Sequence, residues 1–267
     1  MHPIERLRYV ARATDADPAA LVGETAMALR DLRIEPAGLV LACRRIIERH
    51  PTVGPMWWLC ARLLSSTNPF ELAEELAFEI SHDATAATLA EALSPDSTLC
   101  LVGWSYAGMQ AAVQRGDCRV LVIDSQGDGQ SAVNALERAN VEAEYVALES
   151  AAGAILSSDT VVIEAIARGP GEALCVGGSH GVASIAYCML RPAWLLSGVG
   201  TKLPDIMWSA MKERTFFGRQ AWEVGTDVVP IELFTSVIGP AGIVTASPQE
   251  YSAECEPMPE LLRRSAM

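Results

Sequence analysis

The sequence predicts an α/β protein: a helical amino-terminal domain over residues 1–95, then a Rossmann-like domain over residues 96–267 whose mainly parallel sheet carries helices on both faces. Three observations predict it. Up to about residue 95 the apolar residues recur every three or four positions, the period of a helix that packs one face on a core. From Ser94-Pro95-Asp96 onward the grammar changes to short apolar runs that end in Gly, Ser or Asp and lead into helical stretches. Half of the 267 residues are apolar, enough for a sizeable core.

The helical part is read from Leu21, Ala26, Met27, Leu29 and Leu32, then Leu39, Leu41, Ile46 and Ile47, then Trp57, Trp58, Leu59, Leu63 and Leu64, and finally the run from Leu72 to Leu93. Pro36, Pro51, Pro55 and Pro69 punctuate it, because proline opens a helix readily and continues one poorly. Strands are expected at residues 99–102, 120–123, 143–148, 161–166, 173–176 and 193–196. Their near-continuous apolar character is that of strands covered on both faces, and alternation with helices implies parallel pairing. The tail beyond Pro248 reads as surface. In such sheets ligands sit beyond the carboxyl ends of the strands, so the residues that follow each strand are the ones to examine.

Composition narrows the function classes. With 20 basic against 33 acidic residues the formal net charge is −13, which repels nucleic acid and anionic lipid. Residues 173–190, an uncharged stretch that no other exceeds in length, contain three glycines, two serines and His180 and are too polar for a membrane span of roughly 20 apolar residues. Glu5, Arg6, Arg8, Arg12, Asp15 and Asp17 leave no signal-peptide core near the amino terminus. Seven cysteines without a C-x-x-C pair, most of them in apolar runs, are the usage of buried thiols in a reducing compartment, and the chain reads as cytoplasmic. Four scattered histidines form no zinc signature, and no cofactor is expected.

Several strand ends carry candidate chemistry. Gly103-Trp104-Ser105-Tyr106-Ala107-Gly108 after the first strand is nearly the G-x-S-x-G nucleophile elbow of a serine hydrolase, or simply a tight turn needing small residues. His180 is the one histidine downstream of Ser105, and it falls in mid-domain, where a hydrolase triad does not place it. Gly127-Asp128-Gly129-Gln130-Ser131-Ala132, with Glu149 following the third strand, is a faint dinucleotide fingerprint in which Asp128 would oppose a pyrophosphate. Glu164 stands in the apolar run Val161-Val162-Ile163-Glu164-Ala165-Ile166. It reads either as a carboxyl whose pKa burial raises, suited to moving a proton, or as a strand-end carboxylate bonded to backbone donors. His180 lies in the glycine-rich turn Gly177-Gly178-Ser179-His180-Gly181, open to a ligand role or to that of a satisfied loop histidine. Lys202, one of two lysines, follows the strand at 193–196 and is suited to an anion or to solvent.

Three further stretches occur in a telling order. His50-Pro51-Thr52-Val53-Gly54-Pro55-Met56-Trp57-Trp58, Gly200-Thr201-Lys202-Leu203 and Asp227-Val228-Val229-Pro230-Ile231-Glu232-Leu233 with Gly242-Ile243 resemble successive motifs of one family. It comprises the initiation factor 2B regulatory subunits, methylthioribose-1-phosphate isomerase and ribose-1,5-bisphosphate isomerase, and the resemblance runs from about Leu21 to Ala246. It implies a helical domain ahead of a Rossmann-like one, dimerisation through the latter, and a small-molecule site between the two.

The resemblance puts Ser105 where the isomerases carry a catalytic cysteine and Glu164 where they carry a catalytic aspartate. It implies Ser105 and Glu164 as catalytic positions, and His180 in its glycine-rich turn is the further catalytic candidate, Ser105 or His180 polarising the substrate. Substrate contacts would fall to Gly23, His50, Pro51, Tyr106, Ser125, Gln126, Gln130, Ser179 and Lys202. Three arginines of the family's phosphate site correspond to Val22, His50 and Gln126, and a charge-assisted bond to phosphate is worth roughly 1.5–3 kcal/mol. The expectation is a diverged isomerase-like protein that moves a proton on a small polar metabolite less anionic than a sugar bisphosphate. The alternatives are a catalytically silent metabolite-binding or regulatory subunit and a serine hydrolase built on Ser105.

Overall fold

The computed structural model describes residues 17–32 and 36–263. The amino-terminal stretch read for a leader lies almost wholly outside the described residues. Helices α1 (Pro18–Leu32), α2 (Pro36–Arg49), α3 (Gly54–Ser65) and α4 (Pro69–Ser81) form a bundle, and α5 (Thr85–Ala92) leads to the sheet. Each of α3 and α4 has a proline in its first turn, where the missing N–H has no intrahelical partner to lose. Helix α3 is buried nearly all round, Met56 to Ala61 included, which makes it the centre of the bundle. It starts so close to the sheet that a Cβ on Gly54 would stand 2.6 Å from the Ile166 carbonyl oxygen.

The sheet is built from β1 (Thr98–Val102), β2 (Arg119–Ile123), β3 (Glu142–Val146), β4 (Thr160–Arg168), β5 (Glu172–Val176), β6 (Ala193–Leu196), β7 (Thr226–Pro230), β8 (Ser236–Gly239) and β9 (Gly242–Thr245). Helices α6 (Tyr106–Arg115), α7 (Gly129–Arg138), α8 (Ala151–Ser157), α9 (Ser179–Cys188) and α10 (Asp205–Phe216) connect and cover the strands. The main order is β3-β2-β1-β4-β6-β8-β9, parallel except for the last pair. The chain therefore builds outward from β1 through β2 to β3, then returns to lay β4 on the other side of β1. The β1–β4 boundary is the switch point of the sheet.

Strand β4, nine residues long, belongs to two sheets. Val161 to Glu164 pair in parallel with β6, whereas Ala165, Ala167 and Arg168 pair antiparallel with β5, across a register shift between Ala165 and Ala167. Strand β5 in turn pairs antiparallel with β7. This second, antiparallel layer carries the amino-terminal helices, because Ala167 and Leu174 share a core with Trp57, Trp58, Leu59, Trp208 and Met211. The two faces of the parallel sheet form separate cores, with Cys100, Val161 and Ile163 on one and Leu99, Leu101 and Val162 on the other. The latter also holds Ala86 and Leu89, so α5 packs with the sheet rather than with the bundle.

The predicted strands match β1 to β6 to within two residues, and the α/β layout is as expected. Strands β7, β8 and β9, for which the sequence reading has no counterpart, are short, and β9 is mostly exposed. The tail corrects an expectation. Tyr251 donates its hydroxyl to the Arg168 and Leu203 carbonyls, Glu254 Oε2 accepts from Gly200 N at 2.7 Å, and Leu261 is fully buried in the core beside Trp57. Arg44 Nε and Arg214 Nη2 donate to the Glu260 and Leu261 carbonyls, fixing the strap to α2 and α10. Among the described residues no helix is long and apolar enough to cross a membrane.

Leu261→Ala should therefore destabilise the fold by about 2–4 kcal/mol in urea unfolding, the usual loss for a buried leucine. Val113→Ala, at a half-exposed position of α6, should stay within about 0.5 kcal/mol. Equal, small losses in both variants would show the strap to be dispensable.

Candidate functional site

Ser105 ends the turn after β1 and is the N-cap of α6, its Oγ accepting from Gly108 N at 3.1 Å. Gly108 lacks a side chain where a Cβ would stand 2.6 Å from that oxygen, which leaves room for the cap. The same hydroxyl donates to Glu164 Oε2 at 2.6 Å, and Ala107 N donates to Oε2 at 3.1 Å. Strand alternation explains the meeting: Val162 faces the core under α5 and α6, and Glu164, two residues on, points to the same side at the end of the parallel register. Glu164 thus lies across the switch point from the amino terminus of α6, whose N–H groups and dipole favour a carboxylate.

Opposing forces act on this carboxyl. Burial raises its pKa from the ordinary 4.5 to about 7, against the lowering effect of the Ser105 and Ala107 hydrogen bonds, while the charges of Asp83 and Asp17 push it further up. Desolvation is the largest of these effects, and both stabilising donors meet the same oxygen. Glu164 Oε1 has no hydrogen-bond partner among the described residues. A carboxyl divided between its two protonation states at neutral pH can both accept and return a proton.

Glu164 forms part of the wall of a cavity of about 860 Å³ between the amino-terminal helices and the sheet. Residues of α1 and α4 contribute one side, Trp104, Tyr106 and Ala107 the second, and Gly198, Val199 and Thr201 after β6 the third. Asp83 fastens these parts together. Its Oδ1 accepts from Thr85 N at 2.8 Å and from Thr85 Oγ1 at 2.5 Å, and its Oδ2 accepts from Val199 N at 2.8 Å. Glu254 supports the same loop from behind through Gly200 N and through its ion pair with Lys202 at 3.1 Å.

Of the residues expected at the site, Glu164, Tyr106 and Gly23 line the cavity, and Ser105, only 1% exposed, lies immediately behind the wall. His50, Pro51, Ser125, Gln126, Gln130, Ser179, His180 and Lys202 are not on the wall. Ser125 Oγ donates to the Gly177 carbonyl, Gln126 Nε2 to that of Gly225 and Gln130 Nε2 to Asn134, all contacts internal to the sheet domain. His180 is exposed and meets Asp227 through its backbone N–H. Pro51 gives its carbonyl to Trp57 Nε1, while His50 is buried and Ser179 Oγ is buried with no partner among the described residues.

Two readings lose their geometry here. A nucleophile elbow presents an exposed hydroxyl to a histidine, whereas Ser105 is buried and its hydroxyl is committed to Glu164 and Gly108. In the glycine turn after β2, Asp124 Oδ1 already accepts from Gly129 N at 2.8 Å, filling the helix terminus a pyrophosphate would need. The sequence reading overlooked Asp83, Asp17 and Glu24. Asp83-Ala84-Thr85 has the form of a helix-start signal, and its second role, toward the loop after β6, depends on a contact 116 residues away.

No protein-family model matches the chain, and no curated protein matches its sequence. Solved structures do match. The Pyrococcus horikoshii OT3 translation initiation factor eIF-2B superposes with a TM-score of 0.75 at 15% identity, over 94% of this chain and 98% of that one. A chain of the tetrameric eIF2B-beta2-delta2 complex from Chaetomium thermophilum gives 0.71 at 17% identity, over 91% and 90%. The eIF2B delta of the same organism gives 0.69 at 15% identity, over 90% and 97%. At such identities the likeness is one of fold, and it is the fold that the motif resemblance implied.

The raised pKa of Glu164 gives stability a definite pH dependence. The folded chain holds this proton more tightly than the unfolded chain, so the stabilisation present below about 4.5 is lost as pH climbs through about 7. Relative to Glu164→Gln, the wild-type protein should weaken by up to about 3 kcal/mol over that window and level off above it. Parallel pH profiles of the two proteins in urea unfolding would contradict the assignment.

Proposed function

We propose that this is an isomerase-like protein that moves a proton on a small polar metabolite held in the cavity between its helical domain, residues 1–95, and its Rossmann-like domain, residues 96–267. The observation that carries the reading is the 2.6 Å hydrogen bond from Ser105 to Glu164 at the switch point, with Glu164 on the cavity wall and its second carboxylate oxygen without a partner among the described residues. In the proposed reaction Glu164 removes the proton from C2 of an aldose as the carbonyl oxygen O1 takes a proton from solvent, giving the enediol; Glu164 then returns its proton to C1 as the O2 hydroxyl releases its proton to solvent, giving the ketose. Ser105 is a positioning residue. Its hydroxyl holds Oε2 and leaves Oε1 to the substrate, the position that Ser105 and Glu164 share with the isomerases' cysteine and aspartate being the kinship argument for both roles.

A catalytically silent, metabolite-binding subunit is the second reading. It is favoured by one observation: the serine at the cysteine's position is buried and fully hydrogen-bonded. Incubation in deuterated water with a panel of pentoses, amino sugars and their phosphates separates the two readings. The first requires solvent deuterium in the product, and Glu164→Gln should lower its appearance by about 10²-fold or more while the melting temperature at pH 5 stays near that of wild type. Binding without any exchange would establish the second reading, and full exchange in the variant would remove Glu164 from the reaction.

The proposal places the protein in the cytoplasm as a homodimer. Leu148, Leu156, Tyr187 and Leu190 stand exposed about the contact between α8 and α9, Leu190 at 91%, an apolar face suited to a second copy. The eIF2B beta and delta subunits assemble as a tetramer in their own complex. Sedimentation velocity should show a dimer that Leu190→Asp with Tyr187→Glu converts to monomer; a monomeric wild-type protein would end this part of the reading.

A further inference from the structure

Strand β4 ends on a second inward charge. Arg168, its last residue, is 2% exposed, and no other lysine or arginine among the described residues is buried so deeply. Its Nε and Nη2 have no hydrogen-bond partner among the described residues. These two atoms share one edge of the guanidinium plane, the edge that takes both oxygens of a carboxylate or phosphate in parallel bonds. Burial lowers the pKa of the group, yet a guanidinium inside a protein stays charged, so the charge has to be met where it lies.

The surrounding chain meets it only in part. The Tyr251 ring lies against the guanidinium, its centroid 5.2 Å from Cζ, a cation–π contact that supplies no hydrogen-bond acceptor along the edge. The Tyr251 hydroxyl is turned to the Arg168 and Leu203 carbonyls. The negative charge of Glu254 acts on Arg168, but both of its oxygens are committed elsewhere: Oε2 to Gly200 N at 2.7 Å and Lys202 N at 3.3 Å, Oε1 to Lys202 Nζ at 3.1 Å. Buried donors are almost always satisfied, so an orphaned pair on a charged fork calls for an acceptor from outside the chain. The cover over the fork is of a kind that opens locally, because residues 251–258 form neither helix nor strand.

We infer that Arg168 is the binding group of a second site, beneath the carboxy-terminal strap, which takes a small oxyanion, phosphate or carboxylate, side-on through Nε and Nη2. The anion enters as the Tyr251 segment lifts, and the apparent affinity is lowered by the fraction of molecules in that open form. The site is separate from the cavity, whose wall does not include Arg168, and the inference does not rest on turnover there. It adjoins the cavity all the same: Arg168 N donates to the Thr201 carbonyl at 2.7 Å, and Thr201 stands on the cavity wall. The formal charge of −13 repels anions at long range, so affinity has to come from contact with the fork, where water screens a charge poorly.

Calorimetric titration of the full chain tests this, with inorganic phosphate and acetate as the oxyanions and sodium chloride at matched ionic strength as the control. Phosphate, acetate or both should bind saturably, about tenfold or more tighter than chloride, which cannot span the fork. Whichever binds more tightly identifies the occupant as a phosphoryl or a carboxylate group. Arg168→Lys keeps the charge but loses the fork, and Arg168→Met loses both; each should weaken the oxyanion by about tenfold or more. Urea unfolding without added oxyanion should find Arg168→Met no less stable than wild type, since the change removes a buried charge and orphans no partner. Should that variant fail to fold, Arg168→Lys carries the comparison. No binding of either oxyanion, binding no tighter than chloride, or unchanged affinity in Arg168→Lys overturns the inference. None of these results touches the proton-transfer reading, which deuterium exchange decides separately.

Discussion

The architecture depends on one strand serving two sheets. As far as Glu164, β4 is a central strand of the parallel sheet; from Ala165 it turns into the antiparallel layer on which the helical bundle rests. The change of partner is what opens space at the carboxyl end of β1, because the backbone that would otherwise continue the sheet has turned away. A polar residue at the last parallel position then faces a hollow on one side and a helix amino terminus on the other. The hydrogen bond between Ser105 and Glu164 closes the boundary between β1 and β4, and it joins the two halves of the doubly wound sheet where their connections diverge.

Burying a carboxyl at that point is unfavourable unless it is hydrogen-bonded or protonated, and the structure answers with both. The α6 terminus supplies two donors to one oxygen, and the neighbouring acids hold the proton on for longer. The result is a carboxyl poised near neutrality and held in a fixed rotamer. This is the property a proton-transfer group requires, obtained from strand alternation, an N-cap and the exclusion of water rather than from any unusual residue.

The surroundings of that carboxyl are organised by other acids. Asp83 ties α5 to the loop after β6, and Glu254, on the carboxy-terminal strap, ties the same loop to the tail. Burial raises the pKa of Glu254, and its lysine partner and the backbone donors act in the opposite sense. The loop Gly198 to Thr201 is thus gripped from both sides by carboxylates that accept its backbone N–H groups. Segments remote in sequence thus meet around this loop through acceptor side chains.

The sequence by itself determined the layers. Helical periodicity up to residue 95, six apolar runs alternating with helices and the proline-marked helix starts all rest on local rules, and β1 to β6 fall where those rules put them. Ser105 and Glu164 were also legible, one as a residue after a strand and the other as a charge in an apolar run. Strands β7 to β9 and the buried tail were not, because short partners of an antiparallel layer and a strap held by Tyr251, Glu254 and Leu261 acquire their order from what they pack against. The same reason governs the site. Tertiary structure alone decided that Asp17, Glu24 and Asp83 join Glu164 around one cavity while His180 and Lys202 stay outside it, since the sign of a cavity's charge is a sum over residues that only folding brings together.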